Sequence, residues 1–108
     1  MQHTIRSFHA YNIEELKDPQ DAALYLTEAL LDFKRDHNVA CFLKAIKDVT
    51  ESQGGVGALA KRTALNRQNL YKVLSAKRQP KIETIGMILD GLGLKFQIVP
   101  KEDLFATS

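Results

Sequence analysis

Residues 56–74 read V-G-A-L-A-K-R-T-A-L-N-R-Q-N-L-Y-K-V-L, a pattern of two short helices about a turn. Leu59 and Ala60 fall on the inner side of the first helix, Leu65 in the turn, and Leu70, Val73 and Leu74 on one face of the second. Helices that cross this tightly need a small residue where they touch, and Ala60 is the candidate. Asn66 is placed to cap the second helix, because its side-chain oxygen can accept from the unpaired backbone donors of the following turn. Arg67, Gln68, Asn69, Tyr71 and Lys72 come next, the residues that a recognition helix carries into a major groove. The spacing predicts a helix-turn-helix.

Charge points the same way. No acidic residue lies between Glu51 and Glu83, whereas Lys61, Arg62, Arg67, Lys72, Lys77, Arg78 and Lys81 all do. That window carries +7 and the rest of the chain −5, so the net +2 conceals a segregated distribution. A stripe of one sign is the footprint of phosphate binding, since a surface that merely solvates a fold mixes both signs.

At 108 residues and 44% hydrophobic content the chain is expected to form one soluble domain with a single modest core. No run approaches the roughly 20 apolar residues that cross a bilayer, and the N-terminus lacks a signal-peptide pattern, so a cytoplasmic location is expected. A single Cys41 cannot close an internal disulfide, and its position on a helix suggests a buried structural thiol. His3, His9 and His37 are too scattered for a metal site, and no cofactor motif is present. No Ser/His/Asp, Cys/His or paired-carboxylate arrangement has a supportive spacing, which points away from an enzyme.

Outward from the motif, the chain divides into an N-terminal segment (1–18), a helix-turn-helix domain (19–100) and a short tail (101–108). The first segment contributes Phe8, Tyr11 and Leu16 as apolar side chains with no sustained period. Asp18-Pro19 is a cap followed by proline at the first helical position, so helix one is predicted over 19–33. Its apolar arc is wide: Ala23, Leu26, Leu30 and Phe33 form one stripe, Ala22, Tyr25 and Ala29 its neighbour. Such breadth fits either a central core helix or one that also meets a second chain.

Helix two is predicted over 39–53, with Val39, Phe42, Leu43, Ile46 and Val49 inward and a stop at Gly54-Gly55. After the motif and a basic loop, helix five follows from Lys81 or Ile82 to Leu92, with Ile82, Ile85, Ile88 or Leu89 and Leu92 toward the core. Residues 94–99, L-K-F-Q-I-V, alternate apolar with polar until the last step and end at Pro100, a strand signature. A lone strand exposes unpaired backbone on both edges, and its simplest partner is the same strand of a second copy. Leu94, Phe96, Ile98 and Val99 are therefore expected at a dimer contact. The fold class expected is all-α: a five-helix, Cro/repressor-like domain with one short C-terminal strand paired across a dimer.

The runs L-K-D-P-x-x-A-x-x-Y-L-x-x-A-L (16–30), L-A-x-x-T-x-L-N-R-x-x-L-Y-K-x-L (59–74) and P-x-x-x-T-I-x-x-I-L-x-x-L-G-L (80–94) resemble the small helix-turn-helix antidotes of addiction modules, the HigA-type antitoxins. The resemblance spans about residues 8–99. It implies a homodimer that binds an inverted repeat in its own promoter and neutralises a RelE/HigB-like ribosome-dependent ribonuclease. It also implies operator contacts from Asn66, Arg67, Gln68, Asn69 and Lys72, with Tyr71 near the backbone and phosphate contacts from Lys61, Lys77, Arg78 and Lys81. Phe8, Tyr11, Leu16 and Tyr25 are then the expected toxin-facing residues. Two departures stand out. Ala64 occupies a turn position usually held by glycine, which predicts either a left-handed residue costing on the order of 1 kcal/mol or a different turn. Gly57 and Ala58 replace the usual polar opening of the first motif helix, shifting phosphate anchoring toward backbone N–H groups near 55–57 and toward Lys61. A phage-type regulator with no toxin, and a module acting mainly in protein binding, are the alternative readings.

Overall fold

The computed structural model describes residues 14–75 and 79–101. A 3-10 turn, Glu15–Lys17, leads into five helices: α1 Pro19–Asp36, α2 Val39–Ser52, α3 Gly55–Arg62, α4 Arg67–Leu74 and α5 Ile82–Gly91. Local signals set their starts. Asp18 accepts from the Gln20 backbone N–H at 2.8 Å with Pro19 at the first helical position, and Asn38 accepts from Ala40 N–H at 3.0 Å. α1 stops where His37 turns left-handed (φ 58°). Gly54 and Gly55 take φ of 107° and 91° between α2 and α3, a reversal that a side chain would strain.

α2 is the hub. The 3-10 turn, α1, α3 and α4 all pack on it, and Phe42, Leu43, Ala45, Ile46 and Val49 are buried in the process. Thr50 and Ser52 are buried too, with hydroxyls donated back to the Ile46 and Val49 carbonyls. Cys41 lies off this face and is exposed, not the buried thiol expected. α1 contributes Ala22, Tyr25 and Ala29 of one stripe to the core and Leu26 of the other, whose Ala23 and Leu30 are exposed.

The turn after α3 takes the second of the two versions anticipated at Ala64, a different geometry and not a left-handed residue. Among the described residues His37 is the only non-glycine at positive φ, so Ala64 pays no left-handed cost. Thr63 is extended instead (φ −124°, ψ 177°), and its hydroxyl donates to the Leu59 carbonyl at 3.1 Å while accepting from Leu65 N–H at 3.2 Å. One side chain thus satisfies both sides of the bend.

α5 crosses α3 at a glycine. A Cβ at Gly91 would lie 2.5 Å from Thr63 Cγ2 and 2.8 Å from Leu59 Cδ1, inside van der Waals contact. Valine at Gly91 is expected to lower unfolding free energy by about 1–3 kcal/mol, measured by urea denaturation, because the fully buried Leu59 has nowhere to retreat. Ile85, Ile88, Leu89 and Leu92 are buried as expected. Ile82 is 76% exposed, since the packing on α3 sits at the opposite end of α5.

A polar knot closes this corner. Arg62 Nε donates to the Gly91 carbonyl at 3.0 Å, its guanidinium reaches the Gln53 side chain at 3.4 Å, and Gln53 donates to the Leu92 carbonyl at 3.0 Å. The ends of α2, α3 and α5 are joined there.

No strand occurs among the described residues, so the expected strand over 94–99 is corrected. A strand exists through its ladder, and no other described segment of the chain pairs with this one. Leu94 donates its N–H to the Leu89 carbonyl and packs on the core, while Phe96 turns onto α5 at Gly86.

Candidate nucleic-acid interface

α4 presents three faces. Leu70 is fully buried, Leu74 nearly so and Val73 partly, which fixes the inner side. Gln68 and Lys72, four residues apart, form the outward crest; Asn69 and Tyr71 flank it, and all four are exposed. The helix begins at Asn66, whose Oδ1 accepts from Asn69 N–H at 2.8 Å. That oxygen is committed to the cap, so Asn66 orients α4 before it can touch any ligand.

α3 and α4 enclose a shallow, open groove floored by Gly54, Gly55, Gly57, Ala58 and Ala60. Among the described residues, its charged lining residues are Lys61 and Arg67. Lys61, Arg67, Lys72 and Lys81 are exposed and form no ion pair with another described residue, so their charge is open to a ligand. Arg62 is different. Although it belongs to the basic window, its guanidinium is spent on the backbone knot. Lys77 and Arg78 lie outside the described residues.

Two of the four residues expected to face a toxin, Leu16 and Tyr25, are buried in the chain itself. Leu16 is 1% exposed and Tyr25 6%, because the 3-10 turn and α1 fold both onto α2. The Tyr25 hydroxyl donates to Asp48 at 2.7 Å, and Lys44 pairs with the same carboxylate at 3.2 Å. Burial, the hydrogen bond and the Asp48 charge together push the Tyr25 phenol above its ordinary range. Phe8 and Tyr11 lie outside the described residues.

What α1 does expose was missed. Leu24 and Leu31 are 50% and 36% exposed, and with Glu28 they form an i, i+4, i+7 line. Glu28 Oε1 is buried with no hydrogen-bond partner. Desolvation, with Asp32 adding repulsion, holds its carboxyl above the usual range. The folded chain therefore binds this proton more tightly than the unfolded one. That contribution is present below about pH 4.3 and is lost as pH rises through the folded value. Glu28→Gln is expected to raise the urea midpoint at pH 7 by a margin that shrinks toward pH 4. The signal was available in the sequence: 24, 28 and 31 fall opposite the 22, 25, 26, 29 stripe.

A family model described as "Probable addiction module antidote protein" matches residues 5–100. The chain belongs to this antidote family. An uncharacterized protein of Haemophilus influenzae is 28% identical over 85 residues, covering 79% of the antidote and 82% of that relative. No solved structure matches the antidote. Membership implies a toxin partner in general and suggests a regulatory, non-enzymatic role. Among the described residues the antidote has no helix long and apolar enough to cross a membrane and no cluster of metal-ligating side chains.

Proposed function

We propose that the antidote is a HigA-type, DNA-binding autorepressor that acts as a homodimer and neutralises a RelE/HigB-like ribonuclease. The observation that carries the DNA half is the α4 crest. Gln68, Asn69 and Lys72 stand exposed on a helix whose start is pinned by Asn66, and Lys61 and Arg67 line the adjoining groove with no ion pair to another described residue. Amide side chains on such a crest suit adenine edges and lysine suits guanine, while the flanking cations suit phosphates. Two copies would set their recognition helices about 34 Å apart, over an inverted repeat. Ile98, 98% exposed, with Phe96 and Val99, is the apolar surface available for that pairing; Leu94 supports it from the core.

The toxin half is supported by α1, which packs on α2 and the 3-10 turn, away from α3 and α4. Its outward line sets Leu24 and Leu31 about Glu28, with Asp21 and Asp32 near, an apolar and acidic surface suited to a basic partner. DNA and toxin would then occupy different elements.

Selection of bound duplexes from a random pool tests the DNA half. Enrichment of an inverted repeat with half-sites one helical turn apart is expected. Recovery of unenriched sequence would leave the protein-binding role as the better account.

A further inference from the structure

Arg67 opens α4, where a base-reading residue would stand, yet its position on the helix directs it elsewhere. At 100° per residue it lies on the side shared with Tyr71 and Leu74, about 60° from the buried Leu70 and well away from the Gln68–Lys72 crest. Side chains in the first turn also lean toward the helix N-terminus, and here that means toward α3. The geometry agrees. A Cβ on Gly57 would lie 3.9 Å from Arg67 Nε and 4.0 Å from Cζ, so the guanidinium rests across the bare backbone of α3. No described carboxylate pairs with it there.

We infer that Arg67 is a phosphate-gripping residue seated over Gly57 in the α3–α4 groove, and that sequence discrimination belongs to Gln68, Asn69 and Lys72. This rests on the DNA-binding reading above. Among the described residues the groove is lined by the cations Lys61 and Arg67 and by no acid, over a floor of glycine and alanine that lets a ligand backbone approach closely. Such a surface fits a sugar-phosphate strand. A base edge must instead be met by side chains projecting from the crest. Gly57 is thereby a positioning residue. Alanine fits at its Cβ distance, but a longer side chain must displace the guanidinium.

The test measures dissociation constants across a salt series for the wild type, Arg67→Ala, Arg67→Lys, Gln68→Ala and Gly57→Leu. Each is titrated with the pool-selected duplex and with a scrambled duplex, and circular dichroism checks the fold of every variant. Arg67→Ala is expected to weaken both duplexes by the same factor and to reduce the salt slope by about one unit per protomer bound. Arg67→Lys keeps the charge and should keep the slope. Folded Gly57→Leu should reproduce the Arg67→Ala loss, and Gln68→Ala should narrow the gap between the duplexes without changing the slope.

Loss of preference at a single base in Arg67→Ala, with an intact slope, overturns the inference and leaves DNA binding standing. Wild-type affinity in Gly57→Leu overturns the seat. Absence of binding to either duplex by the wild type overturns both this inference and the reading beneath it.

Discussion

Alanine at Leu70 is expected to lower the unfolding free energy by about 2–5 kcal/mol. Leu70 is fully buried, and it is the point where α4 enters the core through contacts with α2 and α3. Deleting its branched end leaves a void beneath an eight-residue helix that has only this edge with which to hold on. A domain of this size is stable by roughly 5–15 kcal/mol, so the variant should lie near its threshold at 37 °C. Urea denaturation followed by circular dichroism measures the loss. Because α4 carries the crest, DNA affinity should fall with stability even though Leu70 touches no ligand. A midpoint within experimental error of the wild type would mean that α4 is held by its cap and flanks instead.

The second large effect is ionic. If Lys61, Arg67 and Lys81 each neutralise one phosphate in both protomers, the logarithm of affinity should fall with that of salt with a slope of about −5. Between 50 and 200 mM that is a loss of about 10³-fold. Lys61→Ala with Lys81→Ala should cut the slope to about a third. Arg62→Ala should leave the slope unchanged while lowering the melting temperature, since its guanidinium is bound to the Gln53 and Gly91 carbonyls. Fluorescence anisotropy across a salt series separates these outcomes. A slope near −2 for the wild type would mean that the basic window does not lie along the duplex.

These expectations draw on features of unequal visibility. Caps and breaks are local chemistry, so Asp18-Pro19, Asn38, Gly54-Gly55 and Asn66 could be read directly, and the helix bounds followed within a residue or two, except at the end of α1. The inward stripes of α2 and α4 were equally plain, because their periodicity is strict, and α5 departs from its expected stripe at Ile82, which is exposed. The other differences have another cause: each depended on a group whose position only the fold supplies. Arg62 looks like one more DNA-facing cation until the Gly91 carbonyl, 29 residues later, arrives beside it. Ala64 looks strained until the Thr63 hydroxyl is seen to satisfy the bend. Tyr25 and Leu16 read as surface apolar residues because a wide arc does not say which stripe meets α2. The segment 94–99 alternates as a strand does, but alternation supplies no neighbour.

The corner where Arg62 and Gln53 join the ends of three helices also has a mechanical meaning. Elements bonded at one point can tilt about it but cannot slide past one another, so the motion left between α3 and the segment after α5 is angular. If two copies read DNA as proposed, the corner would act as the fulcrum of a lever. A tilt of about 5° over half a DNA turn, roughly 17 Å, carries the far end about 1.5 Å, more than half a hydrogen-bond length. The stiffness of three hydrogen bonds, buried in none of the surfaces that touch a ligand, would thus set how sharply the spacing between half-sites is judged.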